Sequence, residues 1–555
     1  MTPAPPWWES ALVYQIYPRS FCDTDGDGVG DLAGIEKHLD HIAWLGATAI
    51  WLSPFYRSPM CDFGYDVAEY CDVDALFGTL EDFDRLVAAA HARDLRVIID
   101  WVPNHTSDQH PWFHESRSSR HSAKRNWYWW RDGRSDADGG HGPPGSPGRL
   151  PNNWRAAFPG IGGKEFPPAW SWDAGTKQWY LHLFLAEQPD LNWNNPEVRR
   201  AMAETLRFWM ARGADGFRVD VIHGLGKDPS LADLPPEMAA VPISALNDQP
   251  ATHPIIAELR SVIDSWPATP ARMMVGEVYL PTTEQVATYY GTAQRPEVHL
   301  AFNFPPLFAP WDAGAWKQCI DDVHRWLDPS GAWPTWVLSN HDNRRHRTRY
   351  GDPPDADPEA RARAAAILLA TLRGTPFFYA GEELGLHDAR VPPQQRVDPG
   401  GRDGCRAPIP WDSSSSHGWP SAQPWLPWPP EADTGRTVEQ LRGEPGSILY
   451  LYRRVISARR ASPALTHGDF EWISSPKEVL AYQRRAAGDE RLVAVNFSDQ
   501  PCRLDPPPGA WGCELSSLRG PATAGDPFEL RPHEALIWRP VPATSGPSGQ
   551  SAVSC

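Results

Sequence analysis

An α/β fold, a (β/α)8 TIM barrel of eight parallel strands, is predicted by three observations on this sequence of 555 residues. Short apolar, β-branched runs alternate with amphipathic helical stretches as far as residue 465. There are eight such runs, the count that closes a parallel sheet into a barrel. Several end in Asp, Glu, Asn or His, at the C-terminal rim where barrels carry their chemistry.

The elements follow in chain order. ALVYQIYP (11–18) reads as the first strand, LAGIEKHLDHIAWLGA (32–47) as one helix, and TAIWLSP (48–54) as the second strand. LEDFDRLVAAAHARD (80–94) is a helix with Thr79 as its N-cap. LRVIIDWVPNH (95–105) reads as a continuous apolar strand, as a strand buried on both faces should be. PEVRRAMAETLRFWMARG (196–213) opens with Pro and closes with Gly, the usual asymmetry of a helix. ADGFRVDVI (214–222), ARMMVGEVY (271–279), VHLAFNF (298–304), PTWVLSNHD (334–342) and GTPFFYAGEE (374–383) complete the eight strands.

The expected division is a first barrel part at 1–104 and a loop-rich inserted domain at 105–178 on the substrate side. The barrel resumes over 179–465, with a Pro-rich insertion at about 386–435. Short alternating runs without helices predict a C-terminal antiparallel β domain at 466–542, and residues 543–555 read as a disordered tail.

The hydrophobic fraction of 41% excludes disorder of the whole chain. Acidic residues number 69 against 52 basic ones, for a net charge of −17, which argues against nucleic-acid and anionic-membrane partners. No apolar run reaches membrane-spanning length, no signal peptide is visible, and the eight Cys contain no CxxC pair. A cytoplasmic chain with reduced thiols is expected, as a monomer or homodimer, with a Cys502–Cys513 pair left open. The 28 Trp and 59 Pro point to large aromatics packing long ordered loops, with some left for stacking surfaces.

Asp220 ends GFRVD, Glu277 ends MMVGE, and Asp342 follows WVLSNH. A carboxylate directly after an apolar run is costly unless it is paired or used. Three converging on one rim suit a reaction that develops positive charge, and glycoside cleavage does so. Arg218 and Asp220 fall on one face of a strand, so the guanidinium is expected to keep Asp220 ionised for nucleophilic attack. Glu277 has no basic neighbour in sequence, which permits a raised pKa and an acid role.

Four blocks in order, DWVPNH (100–105), GFRVD (216–220), GE (276–277) and SNHD (339–342), resemble the α-amylase family of retaining glycoside hydrolases along nearly the whole chain. The resemblance implies Asp220 as nucleophile, Glu277 as general acid/base and Asp342 as transition-state stabiliser. It further implies His105, His341 and Arg218 as ligands of the cleaved sugar. QPDLN (188–192), VYQIYPRSF (13–21) and FGYDVAEY (63–70) are similar to the oligo-1,6-glucosidase and α-glucosidase subfamily. There, Asp62 and Arg402 match a pair that closes the sugar pocket, and Arg406 in GRDGCRAPIPW (401–411) matches a second Arg at the sugar site. Tyr65 matches the stacking tyrosine, and Phe184 and Gln188 match pocket positions. Val221, directly after the nucleophile, resembles members that act on α-1,6 bonds.

In DTDGDGVGD (23–31), Asp23, Asp25, Asp27, the Val29 carbonyl and Asp31 alternate like the start of a calcium loop. The EF-hand pattern fails, because its twelfth position is Gly34. The subfamily resemblance implies a structural calcium or magnesium here and no organic cofactor. The expected activity is exo-acting release of α-glucose from short oligosaccharides or small α-glucosides. A transglucosylating or sucrose isomerase-like enzyme on the same machinery is the alternative. A non-catalytic scaffold of the same fold is disfavoured because all three carboxylates stand. The stretch FPGIGGKEFPPAW (158–170) is longer than the short FGG-type segment of relatives, and this leaves the leaving-group preference open.

Overall fold

The computed structural model describes residues 5–134, 149–239, 248–352, 357–420, 423–518 and 527–541; the expected tail at 543–555 lies outside them. Eight strands form the barrel: β1 Val13–Ile16, β2 Ala49–Leu52, β3 Arg96–Trp101, β4 Gly216–Val219, β5 Met273–Val278, β6 Leu300–Asn303, β7 Thr335–Val337 and β8 Thr375–Tyr379. They pair in the order β6-β5-β4-β3-β2-β1-β8-β7, every pair parallel.

The ring closes between β6 and β7 without a backbone ladder. Two hydroxyls span the seam instead. Thr335 Oγ1 donates to the Ala301 carbonyl at 2.7 Å. Tyr290 Oη accepts from Ala301 N at 3.1 Å and donates to the Trp333 carbonyl at 2.8 Å. Both backbone polar groups of Ala301 are thereby satisfied by side chains.

Successive strand residues face opposite ways, so one row of each strand points into the barrel. Val13, Ala49, Trp51, Ile98, Met273, Val275, Leu300, Phe302, Val337 and Phe377 pack together as the inner core. Continuing each inward row by two residues changes its chemistry. Val13 is followed by Gln15, Ile98 by Asp100, Val275 by Glu277, and Gly216 by Arg218 and Asp220. The apolar floor thus gives way to ionisable groups at the C-terminal rim. A larger cluster, including Tyr14, Ile50, Val97 and Phe217, packs the outward rows under the helices.

Thr79 caps the helix Leu80–His91 in a reciprocal box with Asp82, as its position predicts. The single helix expected at 32–47 is two, Leu32–Lys37 and Leu39–Leu45. The break is His38, whose ring stacks on Trp411 with centroids 3.4 Å apart and planes 13° from parallel. The segment after β3 holds a helix, Pro111–Arg117, and a three-stranded antiparallel sheet of Trp130–Arg131, Gln178–Leu181 and Trp170–Asp173. Its core is Trp129, Trp154, Trp170 and Trp179, so much of the tryptophan excess is packing.

The C-terminal sheet comprises β9 Asp469–Trp472, β10 Val479–Ala486, β11 Asp489–Asn496, β12 Trp511–Ser516 and β13 Ala535–Pro540, antiparallel in the order β9-β10-β11-β13-β12. It docks on the helix Pro358–Thr371 through Arg484 Nη1 to the Thr371 carbonyl at 2.6 Å. Cys502 is a free thiol, so the Cys502–Cys513 bridge left open by the sequence does not form. Among the described residues no helix is long and apolar enough to cross a membrane.

Candidate active site

Three carboxylates meet at the C-terminal rim. Asp220 follows the last residue of β4, and its amide donates to the Trp101 carbonyl on β3 at 2.9 Å. Glu277 lies on β5, the neighbouring strand, in register with Phe302 of β6. Asp342 sits in the turn after β7. All three line one cavity of about 470 Å³, together with Asp62, Tyr65, His105, Phe158, Phe166, Phe184, Val221, Tyr279 and Arg402.

Arg218 is buried beneath the pair. Its Nη1 donates to Asp220 Oδ1 at 2.5 Å and to Asp100 Oδ1 at 2.8 Å, while its Nη2 lies 3.0 Å from Glu277 Oε2. This corrects the reading that Glu277 lacks a basic neighbour: the neighbour arrives from the next strand, not from the local sequence. One guanidinium is therefore divided among three carboxylates. Burial, reinforced by the charges of Glu277 and Asp100, pushes the Asp220 carboxyl well above its ordinary value; Arg218 favours the ionised form, as expected from the sequence, but does not outweigh the burial. Val221 adopts a left-handed backbone, φ 44° and ψ 38°, uncommon for a β-branched residue. That turn aims its amide at Glu277 Oε2, 2.9 Å away.

Asp342 has the opposite environment. Arg402 Nη1 and Arg406 Nη2 donate to its Oδ1 at 3.0 and 3.1 Å. Burial pushes His341 down to about 3, so its ring is neutral near pH 7. Burial would raise the Asp342 carboxyl, but His341, 3.2 Å from its Oδ2, together with Arg402 and Arg406 outweighs it and holds the group well below the usual carboxylate range.

Arg402 Nη2 also donates to Asp62 Oδ1 at 2.5 Å, joining two segments 340 residues apart across the cavity. Burial raises the Asp62 carboxyl from its ordinary value and Arg402 opposes it. Gln188 Nε2 donates to Asp62 Oδ2 at 3.0 Å and sits 3.1 Å from His105 Nε2. His105, pushed down to about 4 by burial, is neutral near pH 7. Beneath it, buried Lys227 reaches Asp190 at 2.7 Å and Asn104 Oδ1 at 2.6 Å, so the QPDLN block braces the His105 segment. Tyr65 stacks on His341, 2° from parallel at 5.3 Å, and its hydroxyl donates to Asp100 Oδ2 at 3.0 Å and contacts His341 Nε2.

The expected sugar-binding residues divide into two layers. Asp62, Tyr65, His105, Phe184 and Arg402 line the cavity. Gln188, Arg218, His341 and Arg406 lie behind that lining and hold its members in place. Sequence reading missed Asp398, which is buried and accepts from both Arg402 and Arg406. It also missed Phe158, whose ring lies 4.7 Å from the Arg402 guanidinium.

In the loop at 23–31, carboxylate oxygens of Asp23, Asp25 and Asp27 come within 4.8 Å of one another, a donor set suited to a hard cation. Asp31 is turned elsewhere: it caps the helix Leu32–Lys37 through Gly34 N and accepts from Thr24 N. Val29 N donates to Asp27 Oδ1 at 2.7 Å. The loop abuts the insertion, where Trp425 N donates to the Gly28 carbonyl at 2.9 Å.

The sequence model described as "Alpha amylase, catalytic domain" matches residues 15–468, and a "Domain of unknown function" (DUF3459) matches residues 468–537. A probable alpha-glucosidase of Rhizobium meliloti is 42% identical over 89% of this chain and 90% of its own length. An oligo-1,6-glucosidase of Parageobacillus thermoglucosidasius is 34% identical over 89% of this chain and 91% of its own. Among solved structures, the alpha-glucosyl transfer enzyme XgtA is 38% identical with a TM-score of 0.86, covering 97% of this chain and 100% of that one. The trehalulose synthase MutB of Pseudomonas mesoacidophila is 34% identical with a TM-score of 0.86, again covering 97% and 100%. With its barrel, its rim carboxylates and these matches, the chain belongs to the α-amylase family, alongside α-glucosidases and oligo-1,6-glucosidases.

Proposed function

We propose that the protein is an exo-acting retaining α-glucosidase that releases non-reducing α-glucose from short oligosaccharides or small α-glucosides. The observation that carries this reading is one guanidinium, Arg218, reaching Asp220 and Glu277 beside a cavity crossed by the Asp62–Arg402 pair. Two carboxyls so bracketed fit the short separation, ~5–5.5 Å, of a retaining pair. Asp220, in the carboxylate form that Arg218 favours, attacks the anomeric carbon and protonated Glu277 gives its proton to the departing oxygen. Glu277 then takes a proton from the water that opens the glucosyl ester. Asp342, ionised between Arg402 and Arg406, faces the positive charge that develops on the sugar. Asp62 and Arg402 limit the non-reducing end to one glucose unit.

The likeness to XgtA, named as an alpha-glucosyl transfer enzyme, favours transglucosylation as a second output of the same intermediate. We further assign the loop of Asp23, Asp25 and Asp27, with the Val29 carbonyl, to a Ca2+ or Mg2+ ion, Asp31 serving as the cap of the following helix. Its part is structural: it ties the loop together and takes no step in the reaction.

A proton NMR time course with maltose, then isomaltose, sucrose and trehalose, tests the main reading. α-Glucose is expected as the first anomer released. First release of β-glucose would overturn retention.

A further inference from the structure

We propose that Gln15 is a positioning residue for Asp342: its side-chain amide fixes the His341 ring with the proton on Nε2, and that N–H holds the second oxygen of the Asp342 carboxylate. This deepens the α-glucosidase reading and rests on it for the effect on turnover.

Gln15 lies on β1, two residues beyond Val13 in the row that points into the barrel, and it is buried. Its Nε2 carries two hydrogens and has two neighbours, Ser53 Oγ at 3.3 Å and His341 Nδ1 at 2.7 Å. Its Oε1 is buried without a partner among the described residues. A buried acceptor left unmet is unfavourable, but turning the amide over would leave two donors unmet instead.

The far side of the ring decides which way the amide faces. Arg402 and Arg406 both donate to Asp342 Oδ1, whereas Oδ2 faces His341 Nε2 at 3.2 Å. A carboxylate between two guanidiniums is ionised and only accepts. A bare Nε2 would set a lone pair against it, and an Nε2–H attracts it. A neutral ring with its proton on Nε2 has a bare Nδ1, which needs a donor. Among the described residues, Gln15 Nε2 is the group bonded there.

The same placement suits Tyr65, whose hydroxyl hydrogen goes to Asp100 Oδ2 and whose oxygen is left to accept from Nε2–H. Donors thus run in one direction from Gln15 through His341 and Tyr65 to Asp100, which also accepts from Arg218. Tyr17 and Tyr65 stack on the ring, 15° and 2° from parallel, and fix its plane. The other charged groups around it, Arg218, Arg402 and Arg406, aim their N–H groups at carboxylates or at the His341 carbonyl, not at Nδ1.

Two substitutions separate proton placement from packing, assayed with whichever α-glucoside the unsubstituted protein turns over. Gln15→Met fills the space without a donor, so kcat should fall about tenfold, by one factor at every pH, with KM within about twofold. Gln15→Glu keeps the size and brings a carboxyl that shares one proton with the ring. Whichever of the two carries that proton, Nε2 keeps its own. When the shared proton leaves with rising pH, the remaining hydrogen turns to the carboxylate as Nδ1–H, and Nε2 is left bare. The kcat of Gln15→Glu should therefore match the unsubstituted protein on the acid side and fall by about tenfold across one added ionisation. A Gln15→Glu profile parallel to the unsubstituted one, or full turnover in Gln15→Met, would overturn the role of Gln15. Independently of turnover, 15N-labelled histidine in the unsubstituted protein reports the ring itself. The His341 signal, assigned by its loss in His341→Gln, should show a protonated Nε2 and a bare Nδ1. A protonated Nδ1 would overturn the proposal even where neither Gln15 variant folds. Absence of glucose release from every α-glucoside would overturn the α-glucosidase reading instead, with the 15N result still deciding the tautomer.

Discussion

Asp398 and Arg402, four residues apart, meet through three hydrogen bonds: backbone N to Oδ2 at 2.6 Å, Nε to Oδ2 at 2.9 Å and Nη2 to Oδ1 at 2.6 Å. A single carboxylate thus fixes the arginine that crosses the cavity to Asp62. Burial alone would raise Asp398, but Arg406 and Arg402 outweigh it and hold the carboxyl at about 2.

Asp398→Asn should therefore cost about 2 kcal/mol of stability near neutral pH. The sign follows from a folded pKa below the unfolded one. The contribution is full above pH ~4 and is lost as pH falls from there to about 2. Urea titrations of the two proteins should differ by the full amount at pH 7 and by about half of it at pH 3. An equal difference at both values would refute the assignment.

Asp220→Asn and Glu277→Gln should each lower kcat by ~10³-fold or more while the thermal midpoint stays within a few degrees. Steady-state assays beside melting curves check this. Near-native turnover in either variant would remove that residue from the reaction.

Asp62→Ala leaves Arg402 held by Asp398 and Asp342 but opens the end of the cavity. KM should rise ~10- to 100-fold across short substrates, with a smaller change in kcat. A KM unchanged for maltose and isomaltose alike would show that the pair does not hold the terminal glucose.

Chelation should lower the melting temperature, and added Ca2+ should restore it, without altering kcat/KM at about 25 °C. In Asp25→Ala neither chelator nor Ca2+ should move the midpoint. A chelator-sensitive midpoint in that variant would place the ion elsewhere.

The barrel was readable because its strands end in a change of chemistry: Ile98 to Asp100 and Val275 to Glu277 occur within one run of sequence. The same feature made the three rim carboxylates visible. Arg218 was visible as a partner of Asp220 two residues on, but not of Glu277, because strand pairing brings in a residue 59 positions away. Asp398 sits in a Pro- and Gly-rich loop with no periodicity, and its meaning depends on two arginines folding back over it. The break at His38 depends on Trp411, which no local pattern near residue 38 can announce.

The hydroxyl-spanned junction between β6 and β7 divides the rim unequally. Asp220 and Glu277 stand on strands laddered to each other, whereas Asp342 stands beyond the junction. Any breathing of the barrel along that line alters the spacing of Asp342 from Glu277 and leaves the Asp220–Glu277 geometry intact. The Asp220–Glu277 pair thus rests on a continuous ladder, while Asp342 is tied to that ladder's end by the Tyr290 and Thr335 hydroxyls and to the opposite wall by Arg402.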